Sequence, residues 1–265
     1  MPPNPPDALD VVLLAVIQGL TEFLPVSSDG HLVLLGSMLG VADGGLLVPV
    51  VLHLGTLLAV LAVYRQSVVD VLKDLLGGKP RYALLVLLGS VPAGVVGVAF
   101  EDWFEERFKE PRTAAWGLLA TACILLASEI LRRRHKQAPR ADIRPLDALV
   151  IGSGQALAIL PGVSRSGSTI GAGLGLGIVP SEAARFSFLL SLVAVGGAVL
   201  LESRKLLGAE DPAAPGVGVL ALGVAVSAAV GWCALRLLLT FLERGILRWF
   251  ALYCAVVGTA YLLLA

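Results

Sequence analysis

The sequence predicts an all-α integral membrane protein, in which six helices cross the bilayer and two interrupted segments enter it without crossing. Hydrophobic residues make up 57% of the 265-residue chain and charged residues only 15%, and the mean hydropathy is +0.86. A soluble domain of this size carries about 25% charged residues. The apolar residues also occur in long blocks instead of short amphipathic repeats, as a membrane-spanning chain requires.

Composition also excludes several other classes of protein. The net charge is zero, so the chain lacks the basic surface of a nucleic-acid-binding protein. Cys123, Cys233 and Cys254 lie in apolar stretches without CxxC or Cys/His spacing, so we expect small buried thiols and no disulfide or zinc site. The N-terminus carries no basic region, and a cleaved signal peptide is therefore not expected.

Six apolar blocks are long enough to cross the roughly 30 Å hydrocarbon core of a bilayer as α-helices. Two further apolar segments, 8–40 and 146–180, contain Gly, Pro and several Ser near their middle, which a simple spanning helix does not favour. The six blocks are 46–64, 82–100, 113–131, 185–203, 216–241 and 246–264.

The distribution of Lys and Arg orients these spans, because basic loops stay inside. Residues 1–64 contain no Lys or Arg, so the N-terminal segment is expected outside, as are the loops 101–112 and 202–215. The expected inner segments are 65–81, 132–144 and the turn at Arg244 and Arg248. This alternation requires 8–40 to begin and end outside and 146–180 to begin and end inside. Both segments are therefore predicted to be re-entrant, buried in protein or lining a polar cavity.

The two interrupted segments also resemble each other. IQGLTEFLPVSSDG (17–30) aligns with GQALAILPGVSRSG (154–167) after a one-residue shift, which pairs Gln18 with Gln155, Ser27 with Ser164 and Gly30 with Gly167. Three spans follow each motif, and an odd number of crossings inverts the second half. We predict one membrane domain built as an inverted-topology repeat of residues 1–138 and 139–265, with the interrupted segments meeting near the bilayer midplane.

The first motif carries the candidate chemistry. Gln18 and Glu22 are four residues apart and share one helix face. A carboxylate inside the membrane costs at least ~2.5 kcal/mol and therefore indicates a functional site, the alternative being a structural hydrogen bond between re-entrant arms. The run after Pro25 offers hydroxyls, a titratable base and backbone N–H groups: Ser27, Ser28, Asp29, Gly30 and His31.

The second motif carries the opposite charge. Arg165 lies between Ser164 and Ser166, with Thr169 close by, and a guanidinium with flanking hydroxyls is a typical phosphate cradle. The alternative is that Arg165 only neutralises Glu22. His53 is a lone histidine in a spanning block and is expected to be a packed or helix-bonded residue, not a ligand.

Together these motifs resemble those of the bacterial undecaprenyl-diphosphate phosphatases, the bacitracin-resistance family. QGLTEFLPVSSDGH is similar to the family pattern (E/Q)xxxE followed by PVSSxGH, and PGVSRSGST to PGxSRSxxT. HLGTLLAVLAVYR and SEAARFSFLLS extend the similarity over nearly the whole chain. The resemblance implies hydrolysis of a polyprenyl diphosphate to the monophosphate, which recycles the lipid carrier for cell-wall synthesis and confers bacitracin resistance. It also implies a divalent cation, Mg²⁺ or Ca²⁺, and a site facing the outer side of the cytoplasmic membrane.

The resemblance assigns roles to residues of both motifs. The expected catalytic residues are Glu22, Ser28, His31 and Arg165, the expected substrate-binding residues are Gln18, Ser27, Ser164, Ser166 and Thr169, and Glu22 is the expected metal ligand. The nucleophile stays open between Ser28, His31 and a metal-bound water; we favour Ser28 with His31 as its base, because their i, i+3 spacing allows contact. Asp29 replaces a small residue of the family pattern and is either a metal ligand or a solvent-facing group.

The alternative function is a membrane transporter or flippase of a lipid phosphate, because inverted repeats with interrupted segments are common in carriers. Binding alone does not require a Ser28–His31 pair, so that pair separates the two functions. The expected partners are the polyprenyl diphosphate and membrane lipids, and a homodimer is compatible with the sequence. No nucleic-acid partner is expected.

Overall fold

The computed structural model describes residues 7–39, 47–108, 110–135, 138–206 and 215–264, with the side chains of 36–39 and 202–206 excepted. Within these ranges the chain forms helices and short connections, with no strand and a single isolated bridge between Arg140 and Ile178. The predicted all-α class is confirmed. The helices are α1 (Ala8–Phe23), α2 (Ser28–Leu39), α3 (Leu47–Val63), α4 (Arg65–Leu76), α5 (Arg81–Ala99), α6 (Glu101–Phe108), α7 (Pro111–Arg134), α8 (Pro145–Leu157), α9 (Arg165–Gly175), α10 (Pro180–Leu206), α11 (Val217–Arg244) and α12 (Leu247–Leu264).

The predicted spans correspond to long helices. Among the described residues, 5 helices are long and apolar enough to cross a membrane, and a sixth span results if the bent pair α3 and α4 is counted as one. The six predicted blocks coincide with α3, α5, α7, α10, α11 and α12. The chain is therefore a multi-pass membrane protein. Most of the outer loop predicted at 202–215, the end of the 8–40 segment and Lys136 in the inner loop lie outside the described residues.

Each interrupted segment folds as two short helices separated by a turn, α1–α2 and α8–α9. Pro25 and Pro161 lie in the two turns, where neither ring can continue a helical hydrogen-bond ladder. Ser27 (φ 68°) and Gly162 (φ 88°) adopt left-handed backbone conformations in the same turns. Such a conformation is rare for serine, so the second helix of the first segment begins immediately after a strained residue.

The second interrupted segment returns to the place where it starts, because Arg140 holds both of its ends. The Arg140 backbone N–H donates to the Gly177 carbonyl at 2.9 Å, and its carbonyl accepts from the Val179 N–H at 2.9 Å. Its guanidinium donates to both carboxylate oxygens of Asp147, in the first turn of α8, at 2.7 Å each. Segment 146–180 therefore doubles back, as a re-entrant segment must, while the side of the membrane at which it opens stays a prediction.

The first helix of each interrupted segment packs through glycine against a long helix from the other half of the chain. α1 packs on α11, where a Cβ on Gly19 would lie 2.9 Å from the Ser227 carbonyl oxygen. α8 packs on α5, where a Cβ on Gly152 would lie 2.0 Å from the Gly89 carbonyl oxygen. Small residues allow this backbone approach in membranes. In each half of the chain, the first short helix thus packs on a long helix of the other half. This reciprocal packing is compatible with the inverted repeat of 1–138 and 139–265, which stays a prediction.

Two helices, α4 and α6, occupy segments that the charge pattern identified only as loops. α4 is bent by 74° from α3, and none of its residues is buried. Leu72 and Leu76 are exposed on the face opposite Asp70 and Asp74, an arrangement typical of a helix that lies at a membrane surface. The helical spacing of the apolar residues in 65–76 is the sequence signal that could have predicted α4.

The cysteine prediction is only partly confirmed. All three cysteines are free, and Cys254 is buried, but Cys123 and Cys233 are exposed. Burial of these two was wrong because they lie on outward faces of the spanning helices α7 and α11. On such faces lipid surrounds an apolar side chain, so no protein cover is needed.

The contact between Arg140 and Asp147 should stabilise the fold measurably. Replacing Asp147 with Ala removes one partner of an ion pair whose side chains are 25% and 7% exposed. We expect the free energy of unfolding to fall by about 3 kcal/mol, as for other buried pairs that lose one partner. Asp142→Ala is the matched control: it removes the exposed partner of Arg81 and should cost less than about 1 kcal/mol. Equal shifts of the melting temperature in detergent for the two variants would contradict this assignment.

Candidate active site

The two motifs meet at an ion pair between Glu22 and Arg165. Arg165 Nη2 donates to Glu22 Oε1 at 2.6 Å, and the two side chains are only 15% and 7% exposed. Glu22 lies in the last turn of α1, and Arg165 is the first residue of α9. The predicted meeting of the two interrupted segments is therefore observed in this contact.

The second oxygen of the Glu22 carboxylate accepts hydrogen bonds from two side chains of the first motif. Oε2 accepts from Gln18 Nε2 at 3.0 Å and from the Ser28 hydroxyl at 2.7 Å. Gln18 is fully buried, so its contact confirms the shared helix face predicted from the i, i+4 spacing. A buried carboxylate with two neutral hydrogen-bond donors and a guanidinium partner is compensated in the way that intramembrane charges require.

Arg165 uses only part of its hydrogen-bonding capacity. Its Nη1 is buried and has no hydrogen-bond partner in the described part of the chain, although a guanidinium has five N–H donors. The guanidinium carbon lies 5.9 Å from the centroid of the Phe188 ring, within range of a cation–π contact. The site therefore contains a cationic donor that is oriented but not satisfied.

Ser27 and Ser164, which the repeat alignment pairs, make the same contact in the two motifs. The Ser27 hydroxyl accepts from the Gly30 N–H at 3.2 Å, and the Ser164 hydroxyl accepts from the Gly167 N–H at 3.0 Å. Each serine thus caps the helix that follows it. In this structure both hydroxyls act on the protein backbone, so their contact with a substrate stays a prediction.

Ser166 and Thr169 hold the second motif against its neighbours. The Ser166 hydroxyl contacts the Leu24 carbonyl and the Ser164 hydroxyl, each at 3.2 Å. The fully buried Thr169 donates to the Arg165 carbonyl at 2.7 Å and lies 2.6 Å from the Ser187 hydroxyl. These contacts position Arg165, and substrate binding by either residue stays a prediction.

The expected Ser28–His31 contact is not formed. His31 Nδ1 lies 2.8 Å from the Ser27 carbonyl oxygen, and Nε2 lies 2.7 Å from the Tyr253 hydroxyl. The reason is that α2 begins at Ser28, so His31 reaches back one turn to a carbonyl while Ser28 faces Glu22. The Ser28 hydroxyl is therefore hydrogen-bonded to the carboxylate of Glu22 and not to the imidazole of His31.

His53 is bonded to its own helix, as expected, but it also lies at the site. Its Nδ1 lies 2.8 Å from the Pro49 carbonyl oxygen, one turn earlier, while its Nε2 lies 3.7 Å from Glu22 Oε2 and 3.7 Å from Asp29 Oδ1. The Asp29 side chain is 37% exposed and therefore lies at the open edge of this cluster. Two sequence signals for His53, an ionisable residue inside the membrane and its place at the start of the family-like stretch HLGTLLAVLAVYR, were given too little weight.

Thr121 on α7 joins the second motif to the first half of the chain. Its hydroxyl donates to the Gly162 carbonyl at 2.8 Å and accepts from the Ser164 N–H at 2.8 Å. Gly30 lies against the same turn, since a Cβ on it would be 2.8 Å from the Gly162 Cα. Thr121 carried no sequence signal, because a lone threonine in an apolar helix is common.

Comparison with known proteins shows similarity over nearly the full chain. Residues 11–260 match the family described as bacitracin resistance protein BacA. The chain is 42% identical to undecaprenyl-diphosphatase from Desulfatibacillum aliphaticivorans, covering 96% of this chain and 97% of that protein. It is 39% identical to undecaprenyl-diphosphatase 2 from Stutzerimonas stutzeri strain A1501, covering 97% and 98%. It is 38% identical to undecaprenyl-diphosphatase from Halothermothrix orenii, covering 96% and 97%.

The turn at Gly162 should not tolerate a side chain. Its φ of +88° disfavours any L residue, and an added Cβ would lie 1.9 Å from the Ala114 carbonyl oxygen. We expect Gly162→Ala to displace the second motif and to lower both the yield of folded protein and its melting temperature. Gly94→Ala, inside α5 with nothing within 4 Å of the added Cβ, is the matched control and should leave both unchanged. A Gly162→Ala protein as stable as the control would contradict the observed packing of the turn.

Proposed function

Because the chain belongs to the bacitracin resistance protein BacA family, we propose that it hydrolyses undecaprenyl diphosphate to undecaprenyl monophosphate and inorganic phosphate. The relatives named above are diphosphatases, which supports this substrate. In a bacterial cell this reaction would return the lipid carrier to cell-wall synthesis and confer bacitracin resistance. The observation that carries the proposal is that Glu22 contacts both Ser28 and Arg165, so a base, a hydroxyl and a phosphate-binding cation surround one point.

The diphosphate binds first at Arg165. The buried Nη1 of Arg165 has no hydrogen-bond partner among the residues that the structure describes, and a planar guanidinium presents paired donors to phosphate oxygens. The N-terminus of α9, whose first residue is Arg165, adds the positive end of a helix dipole. Binding of the diphosphate anion therefore competes with Glu22 for the guanidinium.

Ser28 is the nucleophile and Glu22 its general base. The Ser28 hydroxyl already donates to Glu22 at 2.7 Å. As the Ser28 oxygen bonds to the terminal phosphorus, its proton passes to Glu22 and the bond from phosphorus to the bridging oxygen breaks, releasing the lipid monophosphate. Water then attacks the phosphoserine. As the bond from phosphorus to the Ser28 oxygen breaks, Glu22 returns its proton to that oxygen, and both hydrogens of the water leave with the released phosphate as H₂PO₄⁻.

The carboxylates of the site would bind a hard divalent cation only together with oxygen atoms of the substrate. Among the described residues, no three His, Cys, Asp or Glu side chains form a group that could hold a metal ion. Glu22 and Asp29 nevertheless face the same imidazole nitrogen of His53 at 3.7 Å, and carboxylates with phosphate oxygens are the ligands that Mg²⁺ and Ca²⁺ prefer. Glu22 and Asp29 would hold the ion, which when bound neutralises charge on the diphosphate.

The lipid chain of the substrate lies between helices, so only the diphosphate enters the polar site. This arrangement suits a site in the bacterial cytoplasmic membrane that opens toward the outer side, as the charge pattern of the loops predicts. The alternative of a transporter or flippase gains no support from the comparisons, since the relatives reported are named for hydrolysis. The Glu22–Ser28 contact also favours hydrolysis, because anion binding alone does not require it.

Removing any of the three central groups should abolish activity. We expect Glu22→Gln, Ser28→Ala and Arg165→Ala each to lower kcat/KM for phosphate release from undecaprenyl diphosphate by about 10²–10⁴-fold, since each removes a base, nucleophile or charge-stabilising group. Ser90→Ala is the matched control, because the Ser90 hydroxyl donates to the Val86 carbonyl of its own helix, outside the two motifs. Near wild-type release by Glu22→Gln or Arg165→Ala in purified, folded protein would overturn the site.

The nucleophile can be identified by trapping the covalent intermediate. With diphosphate radiolabelled in its terminal phosphate and rapid quenching in neutral detergent, which preserves both phosphoserine and phosphohistidine, the wild-type protein should retain label on Ser28. Ser28→Ala should retain none, whereas Ser27→Ala should still be labelled, because the Ser27 hydroxyl contacts the Gly30 N–H and not Glu22. Label on His31, or full activity without any trapped intermediate, would assign the attack to the imidazole or to water.

A further inference from the structure

Tyr253 joins the first motif from the far end of the chain. It lies on α12, 222 residues from His31, and its hydroxyl is 2.7 Å from His31 Nε2. The two rings are nearly parallel, with an interplanar angle of 4° and centroids 5.6 Å apart. No sequence motif singles out this tyrosine, which lies in the apolar stretch of the last span.

The hydrogen-bond partners of His31 indicate which of its ring nitrogens carries a hydrogen. Nδ1 faces the Ser27 carbonyl oxygen, which only accepts hydrogen bonds, so Nδ1 carries a hydrogen. In the neutral imidazole Nε2 is then an acceptor, and the Tyr253 hydroxyl donates to it. In the imidazolium Nε2–H donates to the tyrosine oxygen instead. Tyr253 can therefore hold the ring in one orientation in either protonation state.

The Tyr253 hydroxyl is not needed to attach α12 to the protein. α12 packs along α7, where a Cβ on Gly258 would lie 2.8 Å from the Ala115 carbonyl oxygen. Cys254, the next residue, is fully buried and its thiol lies 3.8 Å from the Pro25 carbonyl oxygen. Tyr253 itself is 44% exposed, so loss of its hydroxyl removes one hydrogen bond without opening the core.

We propose that Tyr253 is a positioning residue for the hydrolysis: through its bond to Nε2 it holds His31 beside the turn that carries Ser27 and Ser28. This inference rests on the proposed function. Ser27 is the strained residue before α2, with φ 68°, and its carbonyl is the other partner of the same imidazole. His31 thus bridges α12 and the Ser27–Ser28 turn, and Tyr253 fixes the outer end of that bridge.

Tyr253→Phe in the full-length protein tests the proposal, because it keeps the ring and removes the hydroxyl. We expect kcat for phosphate release from undecaprenyl diphosphate to fall about tenfold while KM changes less than twofold, since Arg165 still binds the anion. In a His31→Gln background the same change should have no further effect, because the residue through which Tyr253 acts is gone. Tyr82→Phe is the matched control: it removes a 2.6 Å hydrogen bond to Glu182 outside the motifs and should leave kcat unchanged.

A spectroscopic measurement separates positioning from a general structural effect. The chain has three histidines, so ¹⁵N NMR of histidine-labelled protein can be assigned with His31→Gln. In Tyr253→Phe the Nε2 resonance of His31 should shift while the Nδ1 resonance stays, and Tyr82→Phe should move neither. Unchanged kcat with an unchanged Nε2 resonance, or additive effects of Tyr253→Phe and His31→Gln, would overturn the proposal. A folded wild-type protein that released no phosphate would instead overturn the proposed function.

Discussion

The ion pair between Glu22 and Arg165 is the contact on which the rest of the site depends. Each charge alone would be costly at this depth in a membrane protein, and together they compensate each other. The pair also joins the two interrupted segments, because Glu22 ends α1 and Arg165 begins α9. Thr121, the helix caps and the glycine contacts all fix the turns that carry these two residues. The contacts that hold the polar site together are thus the same contacts that join the two halves of the chain.

The fold followed from two properties of the sequence that act over many residues. Apolar length predicted α3, α5, α7, α10, α11 and α12, and the prolines and serines predicted the two broken helix pairs. Such signals are strong because the bilayer demands a satisfied backbone along every span. The surface helix α4 was not predicted, because a short amphipathic helix beside a span resembles a charged loop when only its Lys and Arg are considered.

The candidate site was less completely predictable, because its members depend on how helices rotate and pack. Glu22, Ser28 and Arg165 were identified by motif, and local spacing placed Gln18 correctly. His53 and Tyr253 come from α3 and α12, whose docking no local pattern specifies. The predicted Ser28–His31 contact was wrong for a related reason. The i, i+3 spacing allows the two side chains to meet, but the Ser28 hydroxyl donates to Glu22 and the His31 ring lies between the Ser27 carbonyl and the Tyr253 hydroxyl.

In the proposed mechanism, the same ion pair couples substrate binding to activation of the nucleophile. Arg165 donates to one oxygen of the Glu22 carboxylate, and Ser28 donates to the other. A diphosphate that binds the Arg165 guanidinium takes that donor from Glu22 and brings negative charge beside the carboxylate, which favours transfer of the Ser28 proton to Glu22. Binding of the diphosphate and activation of Ser28 are therefore coupled through the Glu22 side chain.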